Sequence, residues 1–139
     1  MKHKPQLSDV MTREPETVHI GQPLSDAYTL LQNRKYHHVP VVDGDTPVGM
    51  ISSSDILKLV YDIEGNDDRM LRTMLDHQFR LEDAMSTELV TVRSGESVRK
   101  VAGHLSTGDN HSVVVVNDDG DLEGIVTSSD LIRQLAELL

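Results

Sequence analysis

Neither cysteine nor tryptophan occurs in the 139-residue chain. Without thiols there is no disulfide framework, no thiolate metal site and no cysteine nucleophile. Aromatic residues make up 3% of the sequence, which removes the stacking platforms that single-stranded nucleic acids need. Cations are scarce as well: 13 Lys and Arg stand against 23 Asp and Glu, a formal charge of −10. That balance opposes phosphate backbones and anionic membrane surfaces, so neither nucleic acid nor a membrane is expected as a partner. No apolar run approaches the ~20 residues of a spanning helix, and residues 1–5 lack the apolar segment of a signal peptide. The expectation is a soluble, cytoplasmic protein.

Signatures of chemistry are equally thin. No Gly-rich Walker or dinucleotide loop is present, and nothing in the sequence places a His and a carboxylate beside Ser52 or Thr127 to complete a triad, so the chain is not expected to be an enzyme. His37 and His38 are adjacent, so in a strand they point to opposite faces and do not converge on a metal. The segment from Asn117 to Asp121 lacks the sixth-place glycine and twelfth-place acid of an EF-hand loop and reads as a polar hairpin turn.

What the chain does contain is itself, twice. Leu7, Asp9, Met11, Glu14, Thr17, Val18, Gly21, Leu31, His37, Val39, Val41 and Val42 recur 74 positions later as Leu81, Asp83, Met85, Glu88, Thr91, Val92, Gly95, Leu105, His111, Val113, Val115 and Val116. Beyond one extra residue in the second turn the offset is 75, and Gly49, Ser53, Ser54 and Asp55 answer to Gly124, Ser128, Ser129 and Asp130. Each copy reads as a short β-branched strand (17–20; 89–92), an amphipathic helix (from Leu24; 98–106), two apolar strands about a polar turn (39–42 and 48–51; 113–116 and 122–127) and a closing helix (from Ser54; 129–138). Pro23 suits a first helical turn, and Gly108 a helix end. Between the copies, Met70, Leu71, Met74 and Leu75 form one stripe of a linker helix. The expected organisation is repeat 1 over 1–64, a linker helix over 65–80 and repeat 2 over 81–139. The two β-α-β-β-α units, of α/β (α+β) class, are expected to pack face to face with pseudo-twofold symmetry and duplicated clefts, because each leaves a sheet face to cover.

The motif Gly49-Met50-Ile51-Ser52-Ser53-Ser54-Asp55 and its copy ending Thr127-Ser128-Ser129-Asp130 carry the most information. A strand ends, hydroxyls follow, and a carboxylate lands at a helix start whose free N–H groups can hold phosphate oxygens. Hydroxyl for phosphate and carboxylate for ribose hydroxyls is sound chemistry. Ser52 with Asp55, and Thr127 with Asp130, are also spaced as capping boxes, and the motif alone leaves both readings open. Lys58 and Arg133, three residues further on, suit surface pairs with those aspartates or contacts to phosphate.

Taken together, the repeat from Met11 through Pro40 to Ser52-x-x-Asp55, with its second copy, resembles the cystathionine-β-synthase (CBS) domain family in its tandem arrangement, over about residues 7–60 and 81–138. The resemblance implies a regulatory module that needs no cofactor and binds an adenosyl ligand such as AMP, ADP, ATP or S-adenosylmethionine. It also implies a homodimer, and action in trans on a partner protein that the sequence does not identify. It assigns phosphate to Ser52 and Thr127 and ribose to Asp55 and Asp130, with Ser54 and Ser129 among the ligand-binding residues. Carried over crosswise, it matches Thr12, Thr17, Tyr36 and His37 to the Asp130 cleft, and Ser86, Thr91, Asn110 and His111 to the Asp55 cleft. Repeat 2 departs from the pattern with Ser112 and Val114 where repeat 1 has His38 and Pro40. Because Tyr36 offers stacking and Asn110 none, the Asp130 cleft is expected to be the tighter. The other reading is a dimerisation or interaction scaffold with vestigial nucleotide clefts.

Overall fold

The computed structural model describes residues 4–33, 36–61, 63 and 67–139. In chain order its elements are α1 (Leu7–Val10), β1 (Thr12–Arg13), β2 (Val18–His19), α2 (Leu24–Gln32), β3 (His38–Asp43), β4 (Thr46–Ser52), α3 (Ser53–Val60), α4 (Asp68–Gln78), α5 (Leu81–Ala84), β5 (Thr91–Arg93), α6 (Val98–Ser106), β6 (Ser112–Val116), β7 (Leu122–Thr127) and α7 (Ser128–Leu138). The expected mixed α/β class and the order of strands and helices in each repeat are therefore present. The boundary drawn between repeat 1 and the linker, at residues 64 and 65, and the reading of residues 1–3 lie outside the described residues.

Contacts divide the chain into one unit of 16–88 and another that joins 1–15 to 89–139. The units are thus offset from the sequence repeats, because α1 and β1 pack with the second repeat's strands.

In the 16–88 unit, β3 lies between β2, parallel to it, and β4, antiparallel. Val18, Val39, Val41 and Ile51 meet Leu24 and Ala27 of α2, Ile56 of α3, Leu75 of α4 and Leu81 of α5 in one core. The stripe expected on α4 faces inward in part: Leu75 is fully buried, Leu71 and Met74 half-buried, and Met70 exposed. Polar groups seat the same helix on α2. Asp76 accepts from both the backbone N–H (2.8 Å) and the hydroxyl (2.6 Å) of Ser25, satisfying one orphan backbone donor of the α2 amino terminus from a distant part of the chain. Arg72 bonds Asp68 (2.8 Å), Gln32 (2.8 Å) and the Thr29 hydroxyl, and its guanidinium lies 4.9 Å from the centroid of the Tyr28 ring. Its hydrogen bond holds the Asp68 carboxyl below the usual carboxylate range, while burial first, and then the neighbouring Asp68, push the Tyr28 phenol up.

In the other unit the sheet order is β1-β7-β6-β5, with β5 parallel to β6 and the other neighbours antiparallel. Val92, Val113, Val115 and Val126 pack against Val101 and Leu105 of α6 and Leu7 and Val10 of α1. The side chain of Ser97 caps α6 by accepting from Lys100 N–H at 3.1 Å. Gly108, just past the end of α6, takes φ +80°, the left-handed value that glycine adopts at a helix end. At the β6–β7 turn, Asn117 Oδ1 accepts from the N–H groups of Asp119 and Asp121, each at 2.9 Å. That is a self-bonded Asx turn, in agreement with the sequence expectation.

Candidate functional site

Each unit ends its hairpin in the same construction. β4 runs into α3 at Ser52, and β7 runs into α7 at Thr127. Immediately before that point a second stretch of chain pairs with the strand. Thr12 of β1 stands opposite Ile125, and Ser86 bridges Met50, with N–H to O distances of 2.8 and 2.9 Å in the two directions. A glycine makes this approach feasible. A Cβ on Gly124 would sit 2.6 Å from the backbone oxygen of Thr12, and one on Gly49 2.5 Å from Sδ of Met85. An isolated glycine within a strand is the sequence signal for such an approach, though it does not say that the segments around Thr12 and Ser86 are the ones that approach.

The carboxylates come to rest at the first turns of the two helices. Asp130 is 5% exposed, and both of its oxygens are occupied. Oδ2 accepts from Thr127 N–H (2.9 Å) and the Thr127 hydroxyl (3.2 Å). Oδ1 accepts from the Thr12 hydroxyl (3.3 Å) and Arg133 (3.2 Å). Asp55 is half-buried; its Oδ2 accepts from Ser52 N–H (2.8 Å) and the Ser52 hydroxyl (2.9 Å), and Ser52 Oγ lies 3.0 Å from Ser54 Oγ. The capping box expected at Ser52 is complete, with the Ser52 hydroxyl also accepting from Asp55 N–H at 3.2 Å, whereas at Thr127 the half made by the Asp130 carboxylate is the one observed. Arg133 makes the expected pair with its aspartate. Lys58 is exposed and forms no ion pair among the described residues, contrary to that expectation, so its ammonium group is left to solvent.

The remaining candidates distribute as follows. Thr12, at the edge strand β1, reaches Asp130, and Ser86 lies beside the β4 end that leads to Asp55. Thr17 is half-buried just before β2, and Tyr36 is half-buried with its N–H on the Asn33 carbonyl. His37 is exposed, and its carbonyl accepts from Ser53 N–H at 3.1 Å. These three belong to the unit that carries Asp55. Thr91 opens β5 and is exposed, as are His111 and Ser129, while Asn110 is half-buried; these belong to the unit that carries Asp130. Among the described residues no group of three or more His, Asp or Glu is disposed to hold a metal, and no helix is long and apolar enough to cross a membrane.

A duplicated hairpin whose strand runs through a glycine into a hydroxyl-and-aspartate helix start defines a class, and residues 7–62 and 81–137 both match the family model of the CBS domain. The chain belongs to the CBS domain family. The protein MJ1225 of Methanocaldococcus jannaschii is 26% identical over 131 residues, 94% of this chain and 47% of its own length, so the chain spans about half of that curated relative. Among solved structures, the CBS domain pair of protein MJ0100 in complex with 5′-methylthioadenosine and S-adenosyl-L-methionine is 26% identical, with a TM-score of 0.80 over 99% of this chain and 100% of that one. CBSX2 in complex with AMP is 26% identical, with a TM-score of 0.76 over 96% and 97% of the two chains.

Proposed function

We propose that this chain is a regulatory module that binds an adenosyl ligand, of the AMP, ADP, ATP or S-adenosylmethionine class, and acts in trans on a partner protein without catalysis of its own. The observation that carries the reading is the duplicated helix start in which a hydroxyl (Ser52; Thr127) and an aspartate (Asp55; Asp130) sit within one hydrogen bond of each other. The amino-terminal ends of α3 and α7 favour phosphate there, although in α3 the Ser53 N–H already bonds the His37 carbonyl and the Asp55 N–H the Ser52 hydroxyl, and the carboxylates suit the paired hydroxyls of a ribose. Adenosyl ligands in two relatives of the same family support the ligand class. Thr12, Thr17, Tyr36, His37, Ser54, Ser86, Thr91, Asn110, His111 and Ser129 remain the proposed lining.

A thermal-shift panel of AMP, ADP, ATP, S-adenosylmethionine, NAD and cyclic dinucleotides tests this. A ligand at 100 times its Kd stabilises by about 2.7 kcal/mol, a rise of roughly 6 to 12 °C for a chain of this size. No shift with any adenosyl ligand would discard the reading.

A scaffold reading has its own support. Leu57 of α3 and Tyr61, just past its end, are exposed one turn apart, and α7 exposes Ile132, Leu135 and Leu138. These stripes are proposed to join two copies in a homodimer. Sedimentation from micromolar upward is expected to show that dimer, and a monomer at every concentration would remove it while leaving ligand binding intact.

A further inference from the structure

The two helix starts share a motif but not a state. A carboxylate offers about four acceptor positions. All four of Asp130 are taken, two by its own cap and two by Thr12 and Arg133. On Asp55 the cap uses Oδ2 alone, and Oδ1 has no partner among the described residues. A ribose diol can therefore bond Asp55 at once, whereas at Asp130 it must displace the groups already on Oδ1.

Resting on the adenosyl-binding reading above, we infer that Arg133 is a latch that makes the Asp130 site selective for ligands carrying a phosphate, while the Asp55 site also takes neutral adenosyl ligands. The Arg133 side chain is 69% exposed, so its guanidinium is free to swing without unpacking α7. A neutral nucleoside that displaces it gives the cation nothing in return. A phosphate at the α7 amino terminus gives it a planar, two-oxygen partner that matches the guanidinium fork. Lys58 occupies the equivalent position in the other unit but forms no ion pair with Asp55, so it can attract phosphate without gating the ribose hydroxyls. This filling order is the reverse of the one suggested by Tyr36, because the sequence does not show which lone pairs are already occupied.

The test is a pair of titrations, adenosine and AMP, into the full ¹⁵N-labelled chain, reading the amides of Ser54 and Asp55 against those of Ser129 and Asp130. Adenosine is expected to move the first pair at concentrations about tenfold below those that move the second, and AMP to move both over a similar range. In Arg133→Gln the AMP-over-adenosine preference at Ser129 and Asp130 is expected to fall about tenfold with the other pair unchanged. Arg133→Lys, which keeps the charge, is expected to retain part of that preference. Equal adenosine response at both pairs in the unsubstituted chain, or an unchanged preference in Arg133→Gln, would overturn the latch and leave adenosyl binding standing. Silence of all four amides toward both ligands would instead overturn adenosyl binding, and the latch with it.

Discussion

Gly124→Ala is expected to lower stability by about 1 to 3 kcal/mol, the usual range for forcing atoms into a packed site. The added methyl group would lie 2.6 Å from the Thr12 backbone oxygen, and backbone cannot step aside as a flexible side chain can. Relief requires β1 to leave the edge of β7, which withdraws the Thr12 hydroxyl from Asp130. The matching change Gly49→Ala first meets the Met85 side chain, whose three rotatable bonds allow it to move, so a smaller loss is expected there. Denaturant melts of both variants check the contrast. Equal losses would show that the strand pairing at Thr12 is no tighter than the bridge at Ser86.

Asp130→Ala and Asp55→Ala are each expected to weaken adenosyl-ligand affinity at their own helix start far more than they weaken the fold. A hydrogen bond to a charged acceptor contributes roughly 1.5 to 3 kcal/mol, a loss of about ten- to hundredfold in affinity, whereas a missing cap costs about 1 kcal/mol. The stability cost should be the larger for Asp130, which is buried and accepts from four donors, than for the half-buried Asp55. Calorimetry beside melting curves separates the two effects. Unchanged affinity with a lowered melting temperature would mean that these aspartates only cap their helices.

The repeat was the most legible part of this molecule. Its offset places α6 at Val98–Ser106 and β7 at Leu122–Thr127, the bounds the sequence suggests, because Ser97 caps one and a short apolar run carries the other. The capping boxes at Ser52 and Thr127 were legible for the same reason: their chemistry is local, within three residues. Hidden from the sequence were the one-turn helices at Leu7–Val10 and Leu81–Ala84 and the edge strand at Thr12, each too short to show a period. Asp76 as the cap of α2 was hidden too, since its partner lies 51 residues away. Paired motifs Ser52-x-x-Asp55 and Thr127-x-x-Asp130 look alike as text. Their different bonding depends on Thr12, which arrives from 118 residues away, and on the rotamers of Lys58 and Arg133.

Titration calorimetry of AMP and of S-adenosylmethionine, into the unsubstituted chain and into the double variant Asp55→Ala, Asp130→Ala, bears most directly on the claim that these helix starts hold an adenosyl ligand. Saturable binding of at least one of the two ligands to the unsubstituted chain is expected, with its loss in a double variant that still melts cooperatively. Binding that persists undiminished in the folded double variant, or no heat from either ligand with the unsubstituted chain, would contradict it.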